Sequence, residues 1–177
     1  MMLSQAAQWM QGVLVGDDCE IERVCTDSRA LESGDLFVAL RGEHFDAHDF
    51  LAAAASGGAR AAVTERDTDA FSRYIRVDDT RRALGWLAAG WCDQFELQRV
   101  AVTGNAGKTT VKEMIACMLG EETHATAGNL NNDIGVPLTL LGVGKEHRYG
   151  VFELGANAPG EIAWTTSLVK PEVALVT

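Results

Sequence analysis

The chain has 177 residues, 47% of them hydrophobic, and a formal net charge of −10. That length suits one ordinary domain or two small ones, and the apolar fraction supports a packed core rather than a disordered chain. The acidic balance argues against general nucleic-acid binding, which needs a basic surface to neutralise phosphates; an anionic ligand must be held by local donors against an unfavourable overall field.

Residues 1–15 lack a basic segment and do not read as a secretion signal. No apolar run approaches the ~18 residues of a membrane span, so a soluble, cytoplasmic protein with no membrane partner is expected. Cys19, Cys25, Cys92 and Cys117 form no C-x-x-C pair and have no His at zinc-finger spacing, which predicts reduced thiols.

Residues 21–26 alternate weakly and predict a strand. Ser33-Gly34-Asp35 is a turn signal before a short buried strand at 36–40. Residues 47–56 are Ala-rich and helical, stopped by Gly57-Gly58, and 61–64 and 74–77 read as two further strands. Asp79 and Thr80 can cap the next helix, where Leu84, Leu87, Ala88, Trp91 and Phe95 keep an i, i+3, i+4 rhythm. Trp86 and Trp91 read as packing residues rather than ligand-stacking ones.

A second unit begins near Arg99. Val100-Ala101-Val102 is a buried strand feeding a glycine loop, and 108–119 a helix with Val111, Ile115 and Met118/Leu119 on one side. Helix at 134–141, strand at 149–154, helix at 161–168 broken by Pro171, and strand at 173–177 complete a βαβ pattern and imply a parallel sheet. The expected fold class is α/β: a small N-terminal α/β domain over 1–97, then the first part of a P-loop parallel-sheet domain over 98–177. A parallel sheet needs further strands and a cover on both faces, so the chain is expected to be part of a longer enzyme.

The glycine loop is Thr103-Gly104-Asn105-Ala106-Gly107-Lys108-Thr109-Thr110. A strand, a Gly-containing turn and Lys-Thr at a helix start form the phosphate-loop pattern. Unpaired N–H groups and the helix dipole favour an anion there, and Gly104 and Gly107 let the backbone curl close to phosphate oxygens. Lys108 is expected to reach the β/γ-phosphates of ATP, and the Thr109 hydroxyl to ligate Mg²⁺. The pattern is tighter than the common G-x-x-x-x-G-K-[ST], since Val102 stands where the first Gly would be; the plain alternative is a Gly-Lys-Thr that opens an ordinary helix. Glu153 ends an apolar strand, where a carboxylate beside a phosphate loop can hold Mg²⁺; a solvated strand-end Glu is its alternative. A switch GTPase would need D-x-x-G and N-K-x-D after the loop, and neither occurs in the chain.

The loop resembles that of the Mur ligases, ATP-dependent amide-forming enzymes of peptidoglycan precursor synthesis. Further strings carry the likeness: Thr26-Asp27-Ser28-Arg29, Gly34-Asp35-Leu36-Phe37-Val38-Ala39-Leu40-Arg41-Gly42-Glu43, Phe45-Asp46-Ala47-His48-Asp49-Phe50, Lys112-Glu113-Met114, Ala127-Gly128-Asn129-Leu130-Asn131-Asn132-Asp133-Ile134-Gly135-Val136-Pro137, Glu153-Leu154-Gly155-Ala156-Asn157 and Gly160-Glu161-Ile162-Ala163. The resemblance spans nearly all of the chain. It implies an N-terminal UDP-binding domain, a central ATPase domain and a C-terminal Rossmann-like domain, of which this chain would hold the first and the opening of the second.

The resemblance also implies chemistry: ATP phosphorylates a peptide carboxylate of UDP-N-acetylmuramoyl-tripeptide, and the amine of D-alanyl-D-alanine displaces phosphate. It implies that Gly104, Asn105, Ala106, Gly107, Lys108, Thr109 and Thr110 bind ATP, with Lys108 catalytic, that Thr109 and Glu153 serve Mg²⁺, that Ser28 contacts the UDP portion and that Asn129 lies near the phosphates or the muramoyl-peptide. A monomer is implied. Two other readings stand beside it: a sister ligase that adds a diamino acid to a UDP-N-acetylmuramoyl-dipeptide, and, for these residues alone, a non-catalytic nucleotide-sugar-binding module. Locally, Asp27-Ser28-Arg29 also fits a strand-end turn, and Asn131-Asn132-Asp133 also fits a cap on the helix beginning at Ile134. His44 and His48 are four apart, but the loop-like residues between them argue against a metal pair.

Overall fold

A computed structural model describes residues 1–42 and 45–177 and divides the chain into two units, Met1–Leu84 and Gly85–Thr177. The end of the Gly34-to-Glu43 string and the His44–His48 pairing fall on Glu43 and His44, outside the described residues.

The first unit contains α1 (Leu3–Trp9), β1 (Val13–Val15), β2 (Arg23–Cys25), β3 (Asp35–Val38), a 3-10 turn (Ala47–Phe50), α2 (Leu51–Ser56), β4 (Ala61–Thr64) and β5 (Tyr74–Arg76). Its described strands form a sheet in the order β1-β5-β4-β3-β2, parallel except for antiparallel β1. The runs Asp-Leu-Phe-Val of β3 and Ala-Ala-Val-Thr of β4 are buried throughout, as parallel strands covered on both faces require. Asp35, in register with Arg23, is 1% exposed and takes a bidentate pair from that guanidinium at 2.9 and 2.7 Å. The one charged residue of β3 therefore enters the sheet already paired.

Helix α3 (Thr80–Cys92) carries the division between the units, and the second unit continues with β6 (Gln98–Thr103), α4 (Lys108–Leu119), β7 (Thr123–Ala125), α5 (Gly135–Leu141), β8 (Tyr149–Glu153), α6 (Glu161–Val169) and β9 (Val173–Val176). The described sheet is all parallel, in the order β7-β8-β6-β9. The chain leaves β6 for β7, two places away, fills the gap with β8, then crosses to β9 on the far side of β6. Connections thus diverge at the carboxyl end of β6, the place where open α/β sheets bind ligands. Leu97, Ala101, Phe152, Val136, Leu140 and Leu168 join Ala88 and Cys92 of α3 in one core. Arg99, 7% exposed, donates to the Val169 carbonyl at 3.1 Å and the Cys92 carbonyl at 3.2 Å. One cation at the foot of β6 thereby closes the carboxyl ends of α3 and α6.

Several sequence expectations need correction. The helix expected over 47–56 is a 3-10 turn followed by α2, because the Asp46 carboxylate accepts the His48 N–H at 2.9 Å and tightens the start. α3 stops at Cys92; Phe95 lies past its end, edge-on to Trp91 with ring centres 5.4 Å apart. The apolar face expected on α4 is only partly covered: Met118 is 76% exposed, while the buried residue is Lys112. The strands expected at 21–26 and 36–40 are shorter or shifted, at Arg23–Cys25 and Asp35–Val38. α1, β1 and β7 were not anticipated; at seven, three and three residues they are too short to show a period. Trp91 Nε1 donates to the Val143 carbonyl at 3.0 Å, and Trp86 meets Trp164 edge-on at 6.2 Å, so both make the packing contacts expected of them.

Candidate functional site

The glycine loop joins β6 to α4 at the divergence point. Gly104 has φ +137° and Gly107 φ +81°, both in the region that favours glycine. Gly107 stands at the N-cap of α4 and offers no side-chain cap, so the first-turn N–H groups are left for an anion. Lys108 Nζ folds back onto the Gly104 carbonyl at 2.8 Å, spanning the loop. Thr177 supports the other side: its hydroxyl donates to the Ala106 carbonyl at 2.6 Å, and its carbonyl accepts the Asn105 N–H at 3.2 Å. Asn105, Ala106, Gly107, Thr109 and Thr110 are exposed, which leaves the crown of the loop open to a ligand.

Glu153 is where the loop meets the neighbouring strand. β8 pairs with β6 in the register Val102↔Glu153. The Glu153 residue is 2% exposed, not the solvated strand end of the alternative reading. Its Oε2 accepts the Thr109 hydroxyl at 2.8 Å and its Oε1 the Asn131 Nδ2 at 2.7 Å. Its backbone N–H donates to Thr126 Oγ1 at 3.0 Å. A buried carboxylate with each oxygen bonded and its backbone tethered is fixed in place.

The Asn-rich segment divides its labour. Asn132 Oδ1 caps α5, accepting the Gly135 N–H at 2.8 Å and the Ile134 N–H at 3.3 Å. Asn131 turns the other way, to Glu153. Asn129 is exposed at the bend, its carbonyl accepting the Asn131 N–H at 2.8 Å. Gly135 passes so close to Leu130 that a Cβ there would lie 2.4 Å from a backbone carbon.

A separate cavity of about 700 Å³ opens in the first unit, lined by residues including Thr26, Asp27, Ser28, Arg29, Phe37 and Phe45. Phe45 and Phe50 stack on its rim with ring centres 5.1 Å apart. Arg29 grips Asp27 through Nε at 2.9 Å and Nη2 at 2.8 Å, and these bonds, aided by the Arg29 N–H, hold the Asp27 carboxyl down at about 2. The strand-end turn at Asp27-Ser28-Arg29 thus forms part of the cavity wall. His48 is buried and uses both ring nitrogens: Nε2 accepts the Glu65 N–H at 2.9 Å and Nδ1 pairs with Asp46 at 2.5 Å.

Of the anticipated residues, the structure brings Thr109 and Glu153 into contact and folds Lys108 over the loop; Asn129 makes no bond to either, and Ser28 lies in the first unit's cavity. Asn131, Thr126 and Thr177 were not anticipated as site residues. Asn131 stood within a segment that also fits a helix cap, and local spacing cannot tell which of adjacent Asn residues turns inward. Thr126 and Thr177 carry no local signal.

A phosphate loop at the switch point of a parallel sheet, with a carboxylate from the adjacent strand bonded to its Thr, defines the nucleotide-binding class of α/β proteins. Residues 102–177 match the Mur ligase middle domain and residues 20–91 match the family described as Mur ligase family, catalytic domain. The chain belongs to the Mur ligase family. It is 53% identical over 176 residues to the UDP-N-acetylmuramoyl-tripeptide–D-alanyl-D-alanine ligase of Escherichia coli K12, covering 98% of this chain and 39% of that protein. A crystal structure of MurF from Acinetobacter baumannii superimposes with a TM-score of 0.92 at 46% identity, covering 98% of this chain and 40% of that one. MurF ligase from Thermotoga maritima in complex with ADP gives 0.80 at 35% identity, over 88% and 37% of the two chains. The chain therefore spans about two-fifths of the length of the relatives it matches.

Proposed function

We propose that the chain is the nucleotide-handling part of an ATP-dependent ligase that joins D-alanyl-D-alanine to UDP-N-acetylmuramoyl-tripeptide in peptidoglycan precursor synthesis. The observation that carries this reading is the phosphate loop with its Thr109 hydroxyl 2.8 Å from the buried Glu153 carboxylate. The identity to ligases of that name and the ADP-bound relative support it. In this reading 1–97 binds the UDP end of the substrate and 98–177 opens the ATPase domain. The protein works as a cytoplasmic monomer; among the described residues no helix is long and apolar enough to cross a membrane.

Gly104, Asn105, Ala106, Gly107, Lys108, Thr109 and Thr110 hold the ATP phosphates. Lys108 exchanges the Gly104 carbonyl for the β/γ-phosphate oxygens, adding positive charge where charge develops during transfer. The donors present fit Mg²⁺: one carboxylate and one hydroxyl in contact leave the remaining positions to phosphate oxygens and water, the arrangement Mg²⁺ favours over an all-protein cage. Among the described residues no group of three or more His, Cys, Asp or Glu would make such a cage. Thr109 and Glu153 would hold the ion, which when bound would supply the positive charge that offsets repulsion between the phosphates and the approaching carboxylate. The γ-phosphoryl group passes to the peptide carboxylate, releasing ADP. The amine then attacks the acyl phosphate, and phosphate leaves through a tetrahedral intermediate.

In the first unit, Ser28 contacts the UDP portion in the cavity that the stacked phenylalanines border. Asn129, exposed beside the phosphate loop's partner strand, contacts phosphate or the muramoyl-peptide. The decisive experiment is Lys108→Ala in the chain extended to the length of its relatives. Turnover should fall by at least about 100-fold, as when one transition-state donor is removed, while calorimetry finds UDP-substrate affinity little changed. Loss of UDP-substrate binding in that variant would contradict the assignment of the two sites to different units.

A further inference from the structure

Lys112 is buried in α4 without a role in the reading above. It stands four residues after Lys108, on the same helical face one turn further in. Its side chain is 1% exposed, and its Nζ donates to the Thr126 carbonyl at 2.7 Å and to Glu113 at 2.5 Å. The Glu113 side chain is 65% exposed, and an ion pair with one member in solvent is weak compensation for removing an ammonium from water. An apolar side chain would cover the same ground without that cost. What the ammonium contributes is a charge-assisted bond to one particular carbonyl.

Thr126 is itself 1% exposed, and each of its polar groups is used. Its N–H donates to the Val151 carbonyl at 3.0 Å, its carbonyl accepts Lys112, and its hydroxyl oxygen accepts the Glu153 N–H at 3.0 Å. It is also the root of the loop that carries Asn131 onto Glu153 Oε1. Glu153 is therefore tied to this loop twice, through its backbone by Thr126 and through its carboxylate by Asn131.

We propose that Lys112 is a positioning residue for the nucleotide centre: its ammonium pins the Thr126 carbonyl and so holds the Glu153 carboxylate against Thr109. The inference rests on the reading of Thr109 and Glu153 as the holders of Mg²⁺. Partners that orient a metal-holding group typically change metal affinity by about 10- to 100-fold when lost.

The test uses the chain extended to the length of its relatives, with ADP bound and Mn²⁺ as the spectroscopic stand-in, free Mn²⁺ being read by electron paramagnetic resonance. Lys112→Met should weaken Mn²⁺ binding at least about 10-fold and lower kcat with the KM for the UDP-substrate unchanged. Thr126→Val, which removes the acceptor for the Glu153 N–H, should weaken Mn²⁺ similarly, and the double variant should be no worse than the worse single one, as members of one network behave. Mn²⁺ affinity within about twofold of the unaltered protein in a folded Lys112→Met overturns the inference. Should that variant not fold, unchanged affinity in Thr126→Val overturns it. No Mn²⁺ binding by the unaltered ADP complex overturns the underlying Thr109–Glu153 reading, and the inference with it.

Discussion

Gly104 and Gly107 are glycines for different reasons. At Gly104 a Cβ would lie 2.1 Å from the Thr177 carbonyl oxygen, and φ is +137°; at Gly107 φ is +81° but nothing lies within 4 Å of the Cβ position. Gly107→Ala thus carries only the left-handed penalty of roughly 1–2 kcal/mol, and ADP binding followed by calorimetry should weaken by about 10-fold. Gly104→Ala must in addition displace backbone, and should leave ADP binding undetectable; equal affinities for the two variants would contradict this distinction. Asp27 offers a second test at this scale. Its folded value lies below its ordinary 3.8, so the Arg29 pairing stabilises the loop fully above that value and is lost as pH falls toward about 2. Arg29→Ala should return the Asp27 titration midpoint, followed by NMR, toward 3.8; an unmoved midpoint would assign the depression to something other than Arg29.

The long apolar period of α3 was readable, as were the short apolar runs of β4 and β5, but not every short element was. α3 shows its rhythm over 13 residues, whereas β1 and β7 have three residues each. Caps set the bounds that periodicity leaves loose. The Asp79 carboxylate accepts the Arg81 and Arg82 N–H groups at 2.9 Å each, while Thr80 is bound to Glu65 instead. Of the two residues anticipated as caps, Asp79 does the capping. Asp79→Ala should destabilise the protein by about 1 kcal/mol in urea unfolding, the usual cost of a lost N-cap; no change would show that the Glu65–Thr80 bonds suffice to start α3. In α4 the periodic reading found Val111, Ile115 and Leu119, which are half-buried, but missed Lys112, which hydropathy does not place in a core and whose buried ammonium is bonded to the Thr126 carbonyl.

Across the whole chain, net charge −10 sets an unfavourable field for nucleotides, which in the proposed reading the loop overcomes locally with backbone N–H groups and Lys108. The chain spans 39% of the length of its E. coli relative. Residues 1–177 on their own are therefore expected to form no amide bond in a product assay with ATP and both substrates; detectable product would show that the ligase centre is complete within them. The α/β class, the phosphate loop and the separate candidacies of Thr109 and Glu153 were readable from order along the chain. They depend on local rules, a strand feeding a glycine turn and a carboxylate at a strand end, that survive without knowledge of what packs where. The strand order that sets β8 beside β6, the inward turn of Asn131 rather than Asn132, and the burial of Lys112 beneath Thr126 were not readable. Each is a contact between segments distant in sequence, set by register and packing, and residue spacing carries no record of either.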